Sequence, residues 1–221
     1  MTEDMRRRDA LKALGGVGAG VAAWQITGGA WPFATAQAAT CVLQPEVTEG
    51  PFWVPNHLTR RDITDGRPGI PLWLHLTTVD ASTCKPIKGA DVEVWHADAR
   101  GVYSGVNGNT RRFLRGHQRA DAHGEVIFRT IYPGWYRGRT PHIHLKVHVG
   151  GSVVHTGQVF FRDATSAAVY RTSHYRSRGE ADTTNGRDGI YAQAGASKAL
   201  LRLTRRAGGG YIAAITLGVR R

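Results

Sequence analysis

The residues best suited to chemistry lie in the segment 132–144, which reads YPGWYRGRTPHIH. Tyr136, His142 and His144 place one phenol and two imidazoles within nine residues, and each of these groups can bind a metal. A tyrosine has a pKa of about 10, so it binds near neutral pH only if the charge of the metal lowers that pKa. Iron(III) does this, whereas zinc is more often bound by His, Cys and carboxylates. The segment therefore favours ferric iron.

A β-strand is predicted to carry the two histidines, because apolar side chains alternate with polar ones over residues 142–149. The apolar face consists of Ile143, Leu145, Val147 and Val149. His142 and His144 share the opposite face, since successive side chains of a strand point to opposite sides. Their Cα atoms would lie about 7 Å apart, close enough for both rings to bind one ion.

A zinc site with three histidines is the alternative, because His148 lies on the same predicted face as His142 and His144. His155 on the next predicted strand could also contribute a ligand. A cupin site would need a glutamate three or four residues after the second histidine, where Val147 and His148 stand. A multicopper oxidase would need several His-x-His motifs, and the chain has one.

The elements around this strand are predicted to be mainly short strands. The predicted strands are 72–79, 90–96, 125–131, 142–149, 152–161 and 211–219. Gly150-Gly151 predicts a hairpin turn, residues 164–170 a helical turn, and residues 197–206 a strand or short helix. Short strands separated by turn residues predict an all-β fold, an antiparallel sandwich or barrel with long irregular loops.

The chain divides into three predicted parts. Residues 1–38 are expected to be a cleaved twin-arginine export signal, because Arg7-Arg8 precedes a weakly apolar run rich in Gly and Ala. Residues 39–71 are expected to be an irregular segment that packs on the core, and residues 72–221 to form the β-sandwich domain. We therefore expect a secreted bacterial protein without stable membrane insertion after removal of the signal.

Charge and cysteine content agree with an exported protein. The formal net charge is +12, but the chain has no helix-turn-helix, zinc-finger or RNA-binding motif, so we expect no nucleic-acid partner. Cys41 and Cys84 are the two cysteines, and such a pair in an oxidising compartment predicts a disulfide. Two free thiols, or a lipid attached at Cys41, are the alternatives.

Taken together, the motifs of the chain resemble one family, the intradiol ring-cleavage dioxygenases. That family includes protocatechuate 3,4-dioxygenase and catechol 1,2-dioxygenase. The resemblance covers roughly residues 48–161. The matching motifs are TEGPF at 48–52, RDITDGRPGIPL at 61–72, GADVEVWHADARGVYSG at 89–105 and the segment 132–144.

The resemblance implies a prealbumin-like β-sandwich with a non-haem Fe(III) site. The implied iron ligands are Tyr103, Tyr136, His142 and His144. Tyr103 would also accept a proton from the substrate, and Arg139 would stabilise carbanion character on the bound substrate. Gln158 would lie near the substrate and Arg139.

The implied reaction is the cleavage of catechol-type diols by O2, with both oxygen atoms entering a cis,cis-muconic acid-type product. The resemblance is to a secreted branch acting on plant-derived catechols, and a homo-oligomer is possible. Two other functions stay open on the residues alone. One is a secreted zinc hydrolase using His142, His144 and His148, and the other is a non-catalytic β-sandwich binding module.

Overall fold

The computed structural model describes residues 42–220, and strands make up most of its regular structure. The strands are β1 (Pro71–Asp80), β2 (Asp91–Trp95), β3 (Arg115–Arg119), β4 (Glu125–Ile131), β5 (His142–Val149), β6 (Ser152–Phe160), β7 (Arg202–Arg205) and β8 (Tyr211–Val219). The helices are α1 (Asp163–Tyr170) and α2 (Gly189–Gln193), with 3-10 turns at Arg176–Arg178, Asn185–Arg187 and Ala196–Ala199.

The strands form two four-stranded sheets, ordered β4-β1-β8-β7 and β3-β2-β5-β6. Neighbouring strands are antiparallel except β1 and β8, which pair in parallel. The prediction of an all-β sandwich is confirmed, and each predicted strand is present within one or two residues of its expected ends. β3 was not predicted, and residues 197–206 contain both a 3-10 turn and the strand β7.

The hydrophobic core lies between the two sheets and sets the orientation of β5. Ile143, Leu145 and Val147 are fully buried in this core, as predicted, against apolar residues of the other sheet. Those residues include Leu72, Leu74, Leu76 and Phe128. Burying one such side chain stabilises the fold by about 2 kcal/mol. A one-residue shift in the register of β5 would move Ile143, Leu145 and Val147 out of the core. Burial of these three side chains therefore holds the histidines on the outer face of the sheet.

Residues 42–70 cover part of that outer face without forming a strand. Glu49 pairs with the ammonium of Lys146 on β5 at 2.5 Å, and the same ammonium lies 3.7 Å from the ring centre of Trp53. Isolated bridges, such as Thr59 with His117, tie the segment to the sheets. The outer face of β5 is therefore enclosed, and polar side chains there are removed from water.

The cysteine prediction can be followed at one of its two positions. Cys84 is disulfide-bonded, and the sequence has one other cysteine, Cys41. Cys41 and the predicted export signal at residues 1–38 lie outside the described residues. Between residues 42 and 220, no helix has both the length and the apolar character needed to cross a bilayer.

Candidate metal centre

Four potential ligand atoms converge at the start of β5. The Nε2 atoms of His142 and His144 lie 3.0 Å apart. The Tyr103 hydroxyl is 3.1 Å from His144 Nε2 and 3.4 Å from His142 Nε2. The Tyr136 hydroxyl is 3.1 Å from His142 Nε2. Two oxygens and two nitrogens therefore face one point, although Tyr103 and Tyr136 are 33 residues apart in the chain.

This arrangement fits a bound metal ion. The Nδ1–H of His142 donates to the carbonyl of Thr140 at 2.7 Å, so in the neutral ring the lone pair of Nε2 points into the site. Two ligands that bind a first-row ion at about 2.1 Å lie about 3.0 to 3.4 Å apart when their angle at the metal is between 90° and the tetrahedral value. The four observed contacts fall in this range.

Burial keeps both imidazoles neutral, which is the form that binds a metal. It lowers the pKa of His142 to about 3, with help from the nearby Arg139 guanidinium. Burial, followed by the neighbouring His142, holds the pKa of His144 well below its usual range. The phenols respond in the opposite direction, because burial opposes their negative charge. It raises the pKa of Tyr136 and raises that of Tyr103 further.

Tyr103 is held in place by a loop and by a buried arginine of β3. The Asp98 carboxylate accepts backbone N–H groups from Arg100 and Val102, at 2.9 and 3.0 Å, and so closes the turn before Tyr103. Arg115 donates from Nε to the carbonyl of Ser104 at 3.0 Å, directly after the tyrosine.

The ring of Tyr103 is also packed from the side. The aromatic ring of Phe52 stacks on it, with centroids 4.3 Å apart and an interplanar angle of 17°. Arg115 donates from Nη2 to the carbonyl of Phe52 at 2.7 Å. The same guanidinium therefore holds Ser104, which follows Tyr103 in the chain, and Phe52, which stacks on its ring. The phenol therefore has little rotational freedom and its hydroxyl stays directed at the histidines.

Tyr136 and Arg139 lie on a tight loop before β5. Arg139 donates its backbone N–H to the carbonyl of Tyr136 at 3.2 Å, and Gly138 between them has a φ of +80°. Few residues other than glycine adopt that conformation without strain. The Gly138 N–H donates to the carboxylate of Asp182 at 3.1 Å, which fastens the loop to the segment after α1.

Arg139 is oriented by two partners. Its Nε donates to Asp188 at 2.8 Å and its Nη2 donates to Oε1 of Gln158 at 2.6 Å. Its remaining Nη1 lies 3.4 Å from the Tyr136 hydroxyl. Gln158 is fixed in turn, because its Nε2 donates to the carbonyl of Thr48 at 3.0 Å and it pairs with His144 across β5 and β6. The positive charge is therefore aimed at the four-ligand site.

All six predicted site residues are thus brought together, and sequence reasoning missed several that support them. Asp188 caps α2 through Oδ1 and holds Arg139 through Oδ2. Asn185 accepts the Thr140 hydroxyl at 2.7 Å, and Arg115 lies on the unpredicted strand β3. An Asp-Gly pair marks a helix start at Asp188, but nothing in its sequence signals the contact with Arg139.

The three-histidine zinc set is not favoured. His148 lies with Glu93 and His117 at the far end of the outer face, and its Nε2 is 3.6 Å from a Glu93 oxygen. Along a strand, four residues separate His148 from His144 by about 13 Å. His155 pairs with the core residue Val147 in the register of β5 and β6, so it does not complete the set.

Comparison with known proteins gives the same family as the motifs. A protein family described as Dioxygenase matches residues 48–169. A catechol 1,2-dioxygenase 1 from Acinetobacter lwoffii is 36% identical over 100 residues, which cover 42% of this chain and 32% of that protein. The chain thus spans about a third of the length of this curated relative.

Two solved structures are similar over most of the chain. The intradiol ring-cleavage dioxygenase from Tetranychus urticae has a TM-score of 0.77 and 37% identity, covering 81% of this chain and 95% of the other. The dioxygenase domain of a carbohydrate-binding fusion protein from Streptomyces sp. SirexAA-E has a TM-score of 0.62 and 30% identity, with coverages of 80% and 97%. From the family match and these similarities, we conclude that the chain belongs to the intradiol ring-cleavage dioxygenase family.

Proposed function

We propose that the protein cleaves catechol-type diols with O2, between the two carbons that carry the hydroxyl groups, at a non-haem Fe(III) site. The observation that carries this proposal is the convergence of two phenol oxygens and two imidazole nitrogens, each of which lies within 3.4 Å of at least one of the others. The ligands would be Tyr103, Tyr136, His142 and His144. Family membership supports the same reaction class, and the names of the relatives include catechol 1,2-dioxygenase.

The two tyrosines are suited to different tasks. When bound, Fe(III) would act as a Lewis acid that makes a chelated catecholate reactive toward O2. Burial raises the pKa of both phenols, and the Arg139 guanidinium acts on both in the opposite direction. One of the two phenolates would accept a hydroxyl proton from the arriving diol, while the other would remain a phenolate.

Arg139 would act on charge rather than on protons. Its guanidinium is held by Asp188 and Gln158 and directs Nη1 toward Tyr136 and His142, at 3.4 and 3.5 Å. A fixed positive charge in an enclosed site stabilises negative charge that develops on the ring of the substrate. Because its partners already hold it in place, little reorganisation would accompany the reaction.

The direct test combines metal analysis, colour and stoichiometry. Purified protein should contain iron and show a burgundy tyrosinate-to-Fe(III) charge-transfer band that shifts when catechol is added. Each catechol consumed should take up one O2 and give a cis,cis-muconic acid-type product without any added reductant. A colourless protein containing zinc instead of iron, or an iron protein that cleaves no diol, would exclude the proposal.

We also propose that the enzyme acts outside the cytoplasm. Support comes from the Arg7-Arg8 motif and from the disulfide bond of Cys84, since disulfides persist mainly in oxidising compartments. Replacing Arg7 and Arg8 by lysines should retain the protein in the cytoplasm of a bacterial host with a twin-arginine pathway. Equal export of the wild-type and Lys-Lys forms would argue against this route.

A further inference from the structure

A second group of potential metal ligands lies on the same outer face of the sheet, at its other end. Glu93 on β2, His117 on β3 and His148 on β5 direct their ligand atoms to within 4.8 Å of one another. His117 Nε2 is 3.6 Å from one carboxylate oxygen of Glu93, and His148 Nε2 is 3.6 Å from the other. Three adjacent strands thus contribute one ligand each.

Within residues 42–220, the two imidazole nitrogens that face Glu93 have no hydrogen-bond partner. Nε2 of His117 and Nε2 of His148 are both buried and unpartnered, and their distances to Glu93 are too long for hydrogen bonds. Leaving a buried polar nitrogen without a partner destabilises a protein. Tetrahedral ligands at about 2.1 Å from one ion lie about 3.4 Å apart, so an ion between the three side chains would satisfy both nitrogens.

The group also has the outer contacts that metal ligands need. Nδ1 of His117 lies 3.3 Å from a carboxylate oxygen of Asp91, which fixes the ring with Nε2 toward Glu93. Glu93 is 1% exposed and accepts hydrogen bonds from Asn56 at 2.9 Å and from the indole of Trp53 at 3.2 Å. Such partners of the ligands orient them before an ion arrives.

We propose that Glu93, His117 and His148 form a second metal site that binds Zn²⁺. Two imidazoles and one carboxylate are a ligand set typical of zinc, and they lack the anionic phenolates that favour ferric iron. All three residues line a cavity of about 400 Å³. That cavity gives the ion an entry path and room for a water or an exogenous ligand.

This site is separate from the four-ligand site formed by Tyr103, Tyr136, His142 and His144. Lys146 lies between His144 and His148 on β5, and its ammonium pairs with Glu49. Zinc here would connect β2, β3 and β5, and β5 also carries His142 and His144 of the other centre. Because the ion binds only when these strands are paired, it should raise the melting temperature of the protein.

The test uses the full-length, iron-loaded protein and Zn²⁺ as the probe. After equilibration with micromolar free Zn²⁺, elemental analysis should find one zinc per chain in addition to the original iron, with the visible colour unchanged. Glu93→Gln and His148→Ala should each lose this zinc and its gain in melting temperature while keeping iron and colour. His123→Ala, which removes an exposed turn histidine, is the matched control and should still bind zinc.

Three results would overturn the proposal. They are an iron-loaded wild type that takes up no zinc, zinc that enters only as iron leaves, and zinc uptake that is equal in the variants and the wild type. Loss of the visible colour and of the circular dichroism signal would show that Glu93→Gln does not fold. In that case His148→Ala and His117→Ala decide the question. Those two substitutions remove less buried side chains.

Discussion

Tyr136 differs from Tyr103 by its neighbour rather than by its own chemistry. Its hydroxyl lies beside both His142 Nε2 and the Arg139 guanidinium, which places it among the proposed ligands and next to a fixed positive charge. We expect Tyr136→Phe to weaken and shift the charge-transfer band, leaving the contribution of Tyr103, and to lower kcat/KM by about 100-fold or more, because losing even an outer partner of a metal ligand costs 10- to 100-fold. Iron content, the visible spectrum and O2 uptake measure this. Wild-type colour and activity in the variant would remove Tyr136 from the ligand set.

Arg139 should matter for turnover and not for metal binding. Arg139→Ala should keep iron and colour and lower kcat by about 10²- to 10³-fold, as expected when a fixed group that stabilises developing charge is removed. Arg139→Lys should recover part of the loss, since it restores the charge without the two-sided contact to Asp188 and Gln158. Arg137→Ala, an exposed change in the same loop, is the control. An unchanged kcat in Arg139→Ala would assign the arginine a structural role.

At the scale of the element, β5 contributes to both stability and function, because one face packs in the core and the other carries the proposed metal ligands. Leu145 is fully buried in the core, between His144 and Lys146 of the outer face. Leu145→Ala should lower the free energy of unfolding by about 2–5 kcal/mol, from lost burial and the cavity left behind. Urea denaturation followed by circular dichroism measures this. Val153→Ala on β6 is the control, because Val153 is 49% exposed, and an equal loss in both variants would contradict the argument.

The same element shows what could be predicted from sequence. Strict alternation in β5 indicates both the strand and the face of its histidines, and the structure confirms both. β3 has no such pattern, because its sequence RGHQR contains no alternating apolar residues. It forms a strand because it pairs with β2, and because Gly116 lets the chain approach Ile63, where an added Cβ would lie 2.6 Å from a side-chain carbon.

Contacts between distant segments could not be predicted from the sequence, because they too depend on how the strands pair. The alternative zinc set places His148 beside His144, since both lie on one face of β5, but a strand is long enough to place them in separate sites. The partners Glu93 and His117 come from other strands, and only the register of β2 with β3 and β5 brings them together. Likewise, the contact of Asp188 with Arg139 spans 49 positions of the sequence.

For the molecule as a whole, two buried histidines that belong to neither proposed ligand set, His96 and His155, make stability depend on pH. His96 is enclosed between the carbonyl of Ala97 and the hydroxyl of Thr130, at 2.9 and 2.7 Å. Burial lowers the pKa of His96 to about 4, and burial likewise lowers the pKa of His155 to about 4. An unfolded histidine titrates near 6.5, so between about pH 6.5 and 4 the unfolded chain binds more protons than the folded one.

The contribution of these two histidines to stability should therefore be constant above about pH 6.5 and fall as the pH drops toward 4, by up to about 3 kcal/mol for each of them. Urea unfolding of the iron-loaded protein at a series of pH values measures the slope. His155→Leu should reduce the slope, because leucine cannot take up a proton. The substitution breaks no hydrogen bond of Nε2, which has no partner among the described residues. His123→Ala, in an exposed turn, should leave the slope unchanged. A slope in His155→Leu as steep as in the wild type would show that this histidine does not couple folding to pH.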